Sequence, residues 1–557
     1  MVLNADGVIT KNKHISLWPI TLMINEIPLP TRRYSESIIL GGVLPALQHP
    51  SNKLFKTVMD IIYEQCIRLE AGVKFFLPDE GERTLKFYLI ATCTDKPAQS
   101  LLRENFTCCS KTSRKSTIKI FPFGTDPIRT DDICTNLMIE AENHGYPMKG
   151  HVGKCYFAVW ESPHKFHQNR FILGSCSLIK LKYYSFGQSI LYDSLHTLYI
   201  GVFKKMCLLV FSKSKINRQQ KWSLYNKINS IDQGLAAVKI PTTTSRRFRS
   251  IKKLERYKAN EFRSLMHHGS TVLLRAKLPK YRRHFALLLA AVNIASKDVI
   301  RDCDVKLVKE LLQQYVKDWQ KIFGLRYMSY NVHSLLHVYE SIEFLGPLYM
   351  YSTFNFEGIG HNLESMIHGM THYGPQLISH LQYYRQAIIE TFKSGYPQKL
   401  FDFNESILRR KLLSNQTIYV KKQVSSANYL EELKHLRLLT NRNFLFHNEL
   451  VVKHIQYKTL SSIKSEKFSD CCVSFEFGKQ IKIGLIRAIV TDTNDNGKIF
   501  VLLEDLVEEP TKQVNLLQTK VNNVTTTIPN IYIRMHSTCL ILRSPSQIKK
   551  KHSYRLA

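Results

Sequence analysis

The chain has 557 residues, 44% of them apolar and 22% charged, which is typical of a folded protein of two to four domains. Lys and Arg number 78 against 45 Asp and Glu, leaving a formal charge of +33. This excess favours a polyanionic partner, because each cation that contacts a phosphate releases a condensed counterion. No apolar run is long enough to cross a bilayer and the N-terminus lacks the apolar core of a signal peptide, so no membrane partner is expected.

The first 110 residues have the pattern of an α/β core. Apolar residues recur at helical spacing from Leu54 to Cys66, and Gly72 ends that predicted helix. The predicted strands cover residues 1–9, 17–27, 37–44 and 84–93. The last of them leads directly to Asp95. Three strands, a helix and a fourth strand with an acid at its end are the order of an RNase H-like α/β core.

Beyond residue 110 the pattern changes several times. Helical periodicity dominates from about 190, and alternating strands separated by turn signals return after Cys471. The predicted fold is therefore an RNase H-like α/β core interrupted by a large all-helical insertion and followed by a small β-barrel-like module. The predicted domains are the first part of the core (1–110), an irregular connecting region (111–189), the helical insertion (190–350), core-closing helices (351–400), a basic linker (401–465) and a β-rich domain (466–557).

Four segments contain acids in a suggestive order. They are NADGVITKNKHISLWPITLMINEIP with Asp6, CTDKPAQSLL with Asp95, YDSLHTLYIGVFKKM with Asp193 and His196, and YNVHSLLHVYESIEFLGPLYMYSTFNFEGIGHNLESM with Glu357. Together they resemble the motifs of CACTA/EnSpm-type cut-and-paste DNA transposases with a DDE triad. The resemblance spans about residues 1 to 385.

The resemblance implies that Asp6, Asp95 and Glu357 are the catalytic acids. In such enzymes three carboxylates hold two Mg²⁺ (or Mn²⁺) ions ~3.5–4 Å apart, one activating the attacking oxygen and one stabilising the leaving oxygen. The implied activity is cleavage of DNA at transposon ends followed by strand transfer. Such a site requires the three carboxylates to approach within roughly 8 Å of one another.

Each assignment has a structural alternative. Asp6 can cap a turn after a strand near the chain terminus, and Glu357 can be a helix-start acid favoured by the macrodipole. Asp193 and His196 are three residues apart, so on a helix they share a face and can form a purely structural hydrogen bond.

A zinc site is expected only in part. His333 and His337 are four apart on a predicted helix, as zinc ligands require. In the transposases that the chain resembles, a Cys-x-x-Cys after the second acid completes the site, whereas this chain has only Cys108-Cys109 there. We expect loss of the site rather than replacement. Other possible donors are Cys134, His144, His151, Cys155, His164 and His167.

The positive charge is concentrated. Residues 201–300 contain 22 Lys and Arg against 4 Asp and Glu, which predicts DNA-backbone contacts, with a solubilising surface as the alternative. The predicted contacts are Arg246, Arg247, Arg249, Lys252, Lys253, Arg256 and Lys258, with a second patch at Lys280, Arg282 and Arg283. Lys549–Lys551 are expected to be a disordered basic end, with a nuclear signal as the alternative.

Two rival functions stay open. One is a catalytically inactive, transposase-derived protein that binds DNA or chromatin, favoured by the missing Cys-x-x-Cys and by a start only five residues before Asp6. The start also implies either a truncated gene or recognition of element ends elsewhere. The other rival is an RNA-binding scaffold, although no RNA-binding motif supports it. A nuclear protein that forms homo-oligomers on DNA is expected.

Overall fold

A computed structural model gives the fold. It describes residues 1–9, 16–29, 31–46, 50–77, 81–95, 98, 118–123, 136, 143, 148–149, 156–158, 171–172, 177–185, 188–244, 246–276, 279–368, 372–391, 393, 395–407, 418–440, 442–452, 455–462, 468–495, 497–508, 518–521, 524–527 and 535–552. The chain is a mixed α/β protein that forms two compact units. Unit 1 comprises Met1–Lys205 and Ala290–Glu390, and unit 2 comprises Met206–Leu289 and Thr391–Ala557.

The strands are numbered in chain order. They are β1 (Val2–Ala5), β2 (Val8–Ile9), β3 (Ser16–Met23), β4 (Ile38–Ala46), β5 (Val73–Leu77), β6 (Gly81–Leu85), β7 (Ala91–Thr92), β8 (Ile118–Ile120), β9 (Met148–Lys149), β10 (Tyr156–Ala158), β11 (Phe171–Ile172), β12 (Ile418–Val424), β13 (Phe444–Val452), β14 (Ile455–Lys458), β15 (Cys472–Phe477), β16 (Gln480–Asp492), β17 (Ile499–Glu508), β18 (Gln518–Val521), β19 (Val524–Thr527), β20 (Met535–Arg543) and β21 (Ile548–Lys551).

The α-helices are numbered in the same way, and a π-helix covers Ser194–Phe203. They are α1 (Asn52–Ala71), α2 (Lys204–Val210), α3 (Lys215–Arg218), α4 (Ile228–Ala236), α5 (Ala259–His268), α6 (Ser270–Ala276), α7 (Pro279–Ala295), α8 (Asp302–Phe323), α9 (Tyr330–Ser334), α10 (Val338–Leu345), α11 (Phe354–Ser365), α12 (Tyr373–Thr391), α13 (Gln398–Ile407) and α14 (Leu430–Leu439). Within the described ranges, no helix is long and apolar enough to span a membrane.

The main sheet of unit 1 is built around β1. β3 pairs antiparallel with β1 and then with β2, β4 pairs antiparallel with β3, and β7 pairs parallel with β1. Beyond β7, Thr92 forms a parallel bridge with Ile190. β1 and β3 are buried along their whole length, because the sheet is covered on both faces.

The two faces of β3 pack against different helices. Trp18 and Ile20 point into a core that includes Phe55 and Met59 of α1. On the other face, Leu17 packs against Leu363 of α11. A strand buried on both faces is apolar at nearly every position, which explains why its sequence, SLWPITLM, lacks alternation.

The largest sheet of unit 2 has eight strands. Its main order is β12–β13–β16–β15–β21, with β14 on β13, β17 on β16 and β20 on β17. β16 is 13 residues long, so its first half pairs with β15 and its last residues pair with β13, while β17 runs along its other edge. A parallel bridge between Ile240 and Phe468 connects this sheet to the segment that precedes α5.

Several predicted features differ in the structure. The C-terminal strands form an open, branched sheet among the described residues, so the β-barrel prediction is wrong. The predicted linker 401–465 contributes β12, β13 and β14 to that sheet. The predicted helical insertion is divided, with 206–289 in unit 2 and 290–350 in unit 1. The predicted strand 84–93 is interrupted, because β6 turns back on β5 and ends at Leu85.

The basic end also differs from its prediction. Lys549, Lys550 and Lys551 lie in β21, which pairs antiparallel with β15, so they are ordered. The Lys551 ammonium is buried and forms an ion pair of 2.7 Å with Asp470, and Lys549 forms one of 2.8 Å with Glu476. A sequence pattern of consecutive lysines does not reveal these acids, because Asp470 and Glu476 lie 81 and 73 positions before their partners.

Candidate functional site

Asp6 lies at an interruption between two short strands. β1 and β2 pair with β3 in one continuous register, which places Pro19 opposite Asp6. Pro19 has no N–H to donate to a strand ladder, and β1 ends one residue before Asp6. Gly7 then lies against Trp18, where an added Cβ would be 2.7 Å from the indole ring. The Asp6 side chain is 30% exposed at this break.

Asp95 follows the strand next to that of Asp6. The Cys93 N–H donates to the Leu3 carbonyl across 2.9 Å, and the Asn4 side chain donates to the Cys93 carbonyl across 2.7 Å. Because β1 and β7 run parallel, their carboxyl ends lie at the same edge of the sheet. Asp6 and Asp95 are thus brought together at that edge. Asp95 Oδ1 also accepts a hydrogen bond of 3.0 Å from the Ala98 N–H.

Asp193 is a buried carboxylate that caps the π-helix. It accepts hydrogen bonds from the N–H groups of Leu195 and His196 at 3.0 and 2.8 Å. The His196 Nδ1–H donates to Asp193 Oδ2 across 2.6 Å. Burial raises the pKa of Asp193, but the hydrogen bonds from His196 and Thr353 outweigh burial and hold the pKa below its usual value. Asp193 is therefore charged and fully paired, and π-helical segments are frequent at functional sites.

His196 connects this buried carboxylate to the sheet edge. Its Nε2 atom is 4.0 Å from Asp6 Oδ2, and its side chain is 26% exposed. Burial lowers the pKa of His196, but the hydrogen bond and charge of Asp193, with further contributions from Asp6 and Asp95, raise it to about 9. The imidazole is consequently positive at neutral pH and partly balances the two acids.

Asp6 has the most perturbed carboxyl group of the site. Burial raises its pKa, the negative charge of Asp95 raises it further, and His196 opposes both, with a result of about 7. The Asp6 carboxyl therefore holds a proton far more readily at neutral pH than an ordinary aspartate does. A carboxyl poised in this way binds a cation readily, because the cation replaces the proton and relieves the repulsion from Asp95.

Glu357 lies in the first turn of α11 and is exposed. The preceding turn of that helix is fixed by Thr353, whose hydroxyl donates to Asp193 Oδ1 across 2.7 Å. Thr353 and Glu357 are four residues apart, so both project from the same side of the helix. Within the described ranges, no three His, Cys, Asp or Glu side chains are grouped as a metal site. The predicted approach of all three acids within roughly 8 Å therefore stays a prediction.

The predicted zinc histidines are neighbours. The His333 and His337 rings lie 5.6 Å apart, with His333 at 5.7 Å from the Phe121 ring. His337 Nδ1 is 3.2 Å from a Glu340 oxygen. The helix is interrupted between them, since α9 passes into a 3-10 turn at Leu335–His337. Cys108-Cys109 and the other possible donors, Cys134, His144, His151, Cys155, His164 and His167, lie outside the described residues, so the expected loss of the site stays a prediction.

The basic segment 246–258 has a buried side and an exposed side. Along the 3-10 helix Ile251–Arg256 and the residue after it, the buried residues Ile251, Leu254 and Tyr257 recur every third position. The remaining cations therefore face solvent. The exposed members are Arg246, Arg247, Lys252, Lys253, Arg256 and Lys258.

Arg249 differs from this exposed set. It forms an ion pair of 2.5 Å with Glu261, whose side chain is 3% exposed and also caps the Lys258 N–H at 2.7 Å. In the second predicted patch, on α7, Lys280 and Arg283 are exposed and Arg282 is half-buried. Arg249 thus has a structural partner, whereas six of the seven cations of the first cluster remain on the surface.

Sequence reasoning missed the contribution of Ser352 and Thr353. The Ser352 hydroxyl hydrogen-bonds the Ser194 hydroxyl across 2.8 Å, beside the bond from Thr353 to Asp193. A Ser-Thr pair before a helix is normally interpreted as an N-cap, and that signal was available. Here Thr353 occupies the N-cap position without a side-chain capping bond, because its hydroxyl is used across the site.

Comparisons with known proteins leave the family open. No protein-family model matches the chain, and no curated protein matches it significantly.

Proposed function

We propose that unit 1 is a divalent-metal-dependent nuclease and strand-transferase core that acts on DNA, as in the transposases that the sequence resembles. Asp6 and Asp95 would hold Mg²⁺ or Mn²⁺, with Glu357 as the third acid. The observation on which this depends is that Asp6 and Asp95 end two parallel, adjacent strands and interact electrostatically.

The strand order supports an RNase H-like interpretation of this core. From one edge to the other the order is β4, β3, β1, β7 and the bridge at Ile190. β3 is antiparallel to both of its neighbours, β4 and β1, whereas β7 is parallel to β1. α1 connects the antiparallel part to the rest and packs on one face. An RNase H-like sheet provides two acids from strand ends and a third from a later helix, which is the arrangement of Asp6, Asp95 and Glu357 along this chain.

The donor set at the sheet edge suits a hard divalent cation. Two carboxylates with oxygen donors lie together, and the pKa of Asp6 is raised to about 7 by burial and by Asp95. Bound divalent ions would activate the attacking oxygen and stabilise the leaving oxygen of a phosphodiester. Asp193 would act indirectly, because it orients His196 and, through Thr353, the helix that contains Glu357.

A nicking assay tests this proposal. Supercoiled plasmid is incubated with the full chain in Mg²⁺ or Mn²⁺, and wild type is compared with Asp95→Asn. We expect metal-dependent nicking by wild type and a loss of at least about 100-fold in Asp95→Asn. Glu64→Gln is the matched control, since Glu64 is an exposed acid of α1 away from the site. Equal nicking by wild type and Asp95→Asn would contradict the proposal.

A second candidate function has its own support. Because no three metal-binding side chains are grouped in the part of the chain that the structure describes, a protein that binds DNA or chromatin without cleaving it remains the competitor. DNA binding without metal-dependent nicking would favour this candidate. Either function calls for a nuclear protein, and copies paired on DNA are expected for strand transfer.

A further inference from the structure

We propose that unit 2 contains a binding surface for the phosphodiester backbone of duplex DNA, assembled from two separate basic segments. One is residues 246–258, and the other is the C-terminal strand β21. This binding does not require cleavage at Asp6 and Asp95, and it assigns a role to the C-terminal sheet.

One buried carboxylate joins the two segments. Asp470 accepts hydrogen bonds from the N–H and hydroxyl of Thr242 at 3.1 and 2.7 Å, just before the first segment. It also accepts from the Lys551 ammonium of β21 at 2.7 Å. Asp470 is 2% exposed and the Lys551 side chain 5% exposed, so this pair is shielded from solvent. Removing either partner would leave the other charge buried and unpaired, which is strongly destabilising. The ion pair therefore holds β21 and the segment around Thr242 at the same place.

Further contacts bring the first segment onto the sheet. The Arg247 guanidinium lies 4.8 Å from the centre of the Phe468 ring, two residues before Asp470. Thr244 and His268 Nε2 are 3.3 Å apart. The start of the first segment therefore lies beside Phe468, four residues before β15, the strand that pairs with β21.

The two segments also share one electrostatic environment. Burial lowers the pKa of His268 to about 4, with smaller contributions from Arg263 and His552. Burial likewise lowers the pKa of His552, assisted by Lys550. Arg263 and Lys550 are both exposed. The helix that follows the first segment, α5, and the end of β21 are therefore close enough for their charges to interact.

The composition of this region favours nucleic acid over a membrane. No large apolar side chain is exposed within 240–268 (residue 245 aside) or 545–552. Binding at a bilayer surface requires apolar side chains that enter the acyl boundary, whereas backbone phosphates are bound by cations alone. The last 48 residues, 510–557, contain 8 Lys and Arg and no acid, and the two acids that contact β21, Asp470 and Glu476, are each paired with one of its lysines.

Lysines on an edge strand have a structural explanation as well. They prevent edge-to-edge pairing of sheets, and β21 is at one end of the sheet order. β12 is at the opposite end and has the exposed Lys421, which makes it a suitable reference. A variant there removes charge from the same sheet without touching the proposed surface.

The test uses fluorescence anisotropy of the full chain with a duplex of about 12 base pairs, just over one helical turn. The variants are Lys549→Ala with Lys550→Ala, and Arg246→Ala with Lys252→Ala. We expect each pair to weaken binding about fivefold to tenfold and to reduce the slope of log affinity against log salt by about 1.8, since each phosphate contact contributes about 0.9. The control variant combines Lys421→Ala with Lys434→Ala, an exposed lysine of α14. It removes the same charge and should leave affinity and slope unchanged.

The outcomes separate the possibilities. If the Lys549/Lys550 variant binds the duplex with wild-type affinity and slope, the lysines serve only the sheet edge and the proposal fails. Equal losses in the Lys421/Lys434 control would also overturn it, because binding would then follow net charge alone. Tighter binding to duplex RNA, polyglutamate or anionic vesicles than to duplex DNA would reject the assigned partner. Thermal unfolding of every variant confirms that the fold is retained, and nicking activity is scored separately.

Discussion

The hydroxyl of Thr353 donates to the carboxylate of Asp193 across 2.7 Å, although 160 positions separate the two residues. Both side chains are buried, and the acceptor is charged. This bond joins the start of the π-helix with His196 to the start of α11 with Glu357. The geometry around the acids therefore depends on it.

Thr353→Val removes this bond and keeps the shape of the side chain. We expect a loss of about 1.5–3 kcal/mol in the free energy of unfolding, the usual contribution of a hydrogen bond to a charged group. Thr353→Ser keeps the hydroxyl and should lose only about 1 kcal/mol for the missing methyl group. Urea denaturation of the three proteins measures both. A valine variant as stable as the serine variant would indicate that the bond contributes little.

The pKa of His196 should depend on Asp193. It is raised from 6.5 to about 9, so the group contributes stability that is fully present below about pH 6.5 and is lost as the pH rises through 9. In Asp193→Asn the largest attraction disappears while burial remains, opposed only by the smaller contributions of Asp6 and Asp95, so the pKa should fall well below 9. NMR titration of the histidine ring carbons measures the pKa, and His196→Gln identifies the signal. A pKa near 9 in the asparagine variant would refute this cause.

Metal binding should weaken in acid. A cation competes with the proton of Asp6, whose pKa is about 7, so Mn²⁺ affinity should fall as the pH decreases from 8 to 6. Electron paramagnetic resonance of free Mn²⁺ measures this affinity directly. Asp95→Asn should bind weakly at every pH, whereas Glu64→Gln should behave as wild type. Affinity independent of pH in wild type would argue against Asp6 as a ligand.

Gly201 is required by close packing within the π-helix. An added Cβ would lie 2.6 Å from the His196 carbonyl oxygen and 2.6 Å from the Asn331 side chain. We expect Gly201→Ala to destabilise the protein by about 1–3 kcal/mol through overpacking. Gly358→Ala on α11 is the matched control, because its Cβ meets nothing within 4 Å and should stabilise the helix by about 0.5–1 kcal/mol. Opposite shifts in melting temperature should result.

Arg249 should affect stability more than DNA binding. Its removal leaves the carboxylate of Glu261, 3% exposed, without its cation. Because Arg249 is itself 37% exposed, we expect Arg249→Ala to cost about 2 kcal/mol, less than a fully buried pair. Lys252→Ala, at an exposed position nearby, should leave stability unchanged and weaken DNA binding. If Arg249→Ala weakened DNA binding without loss of stability, and Lys252→Ala lowered stability without weakening binding, the two roles would be reversed.

The sequence determined the local elements near the N-terminus. β1 falls within a predicted strand, β3 and β4 overlap theirs with ends shifted by one to four residues, and α1 ends before Gly72 as expected. Alternating and 3.6-residue periodicity depend on neighbours a few positions away, so they can be interpreted without a fold. Periodicity placed Asp6 and Asp95 after strands, whereas their role as catalytic acids came from the resemblance of their motifs to a transposase family.

Only the tertiary structure decided the chemical state of those acids and the fate of the basic segments. Burial and then the charge of Asp95 raise the pKa of Asp6, and the pKa of Asp193 is lowered by His196 and, across 160 positions, by Thr353. Lys551 is buried because Asp470 lies beside it, and the C-terminal strands form an open sheet because β16 divides its pairing between β13 and β15. Each of these results depends on groups far apart in the chain, whose electrostatic and hydrogen-bond energies arise only once folding has brought them within a few ångströms.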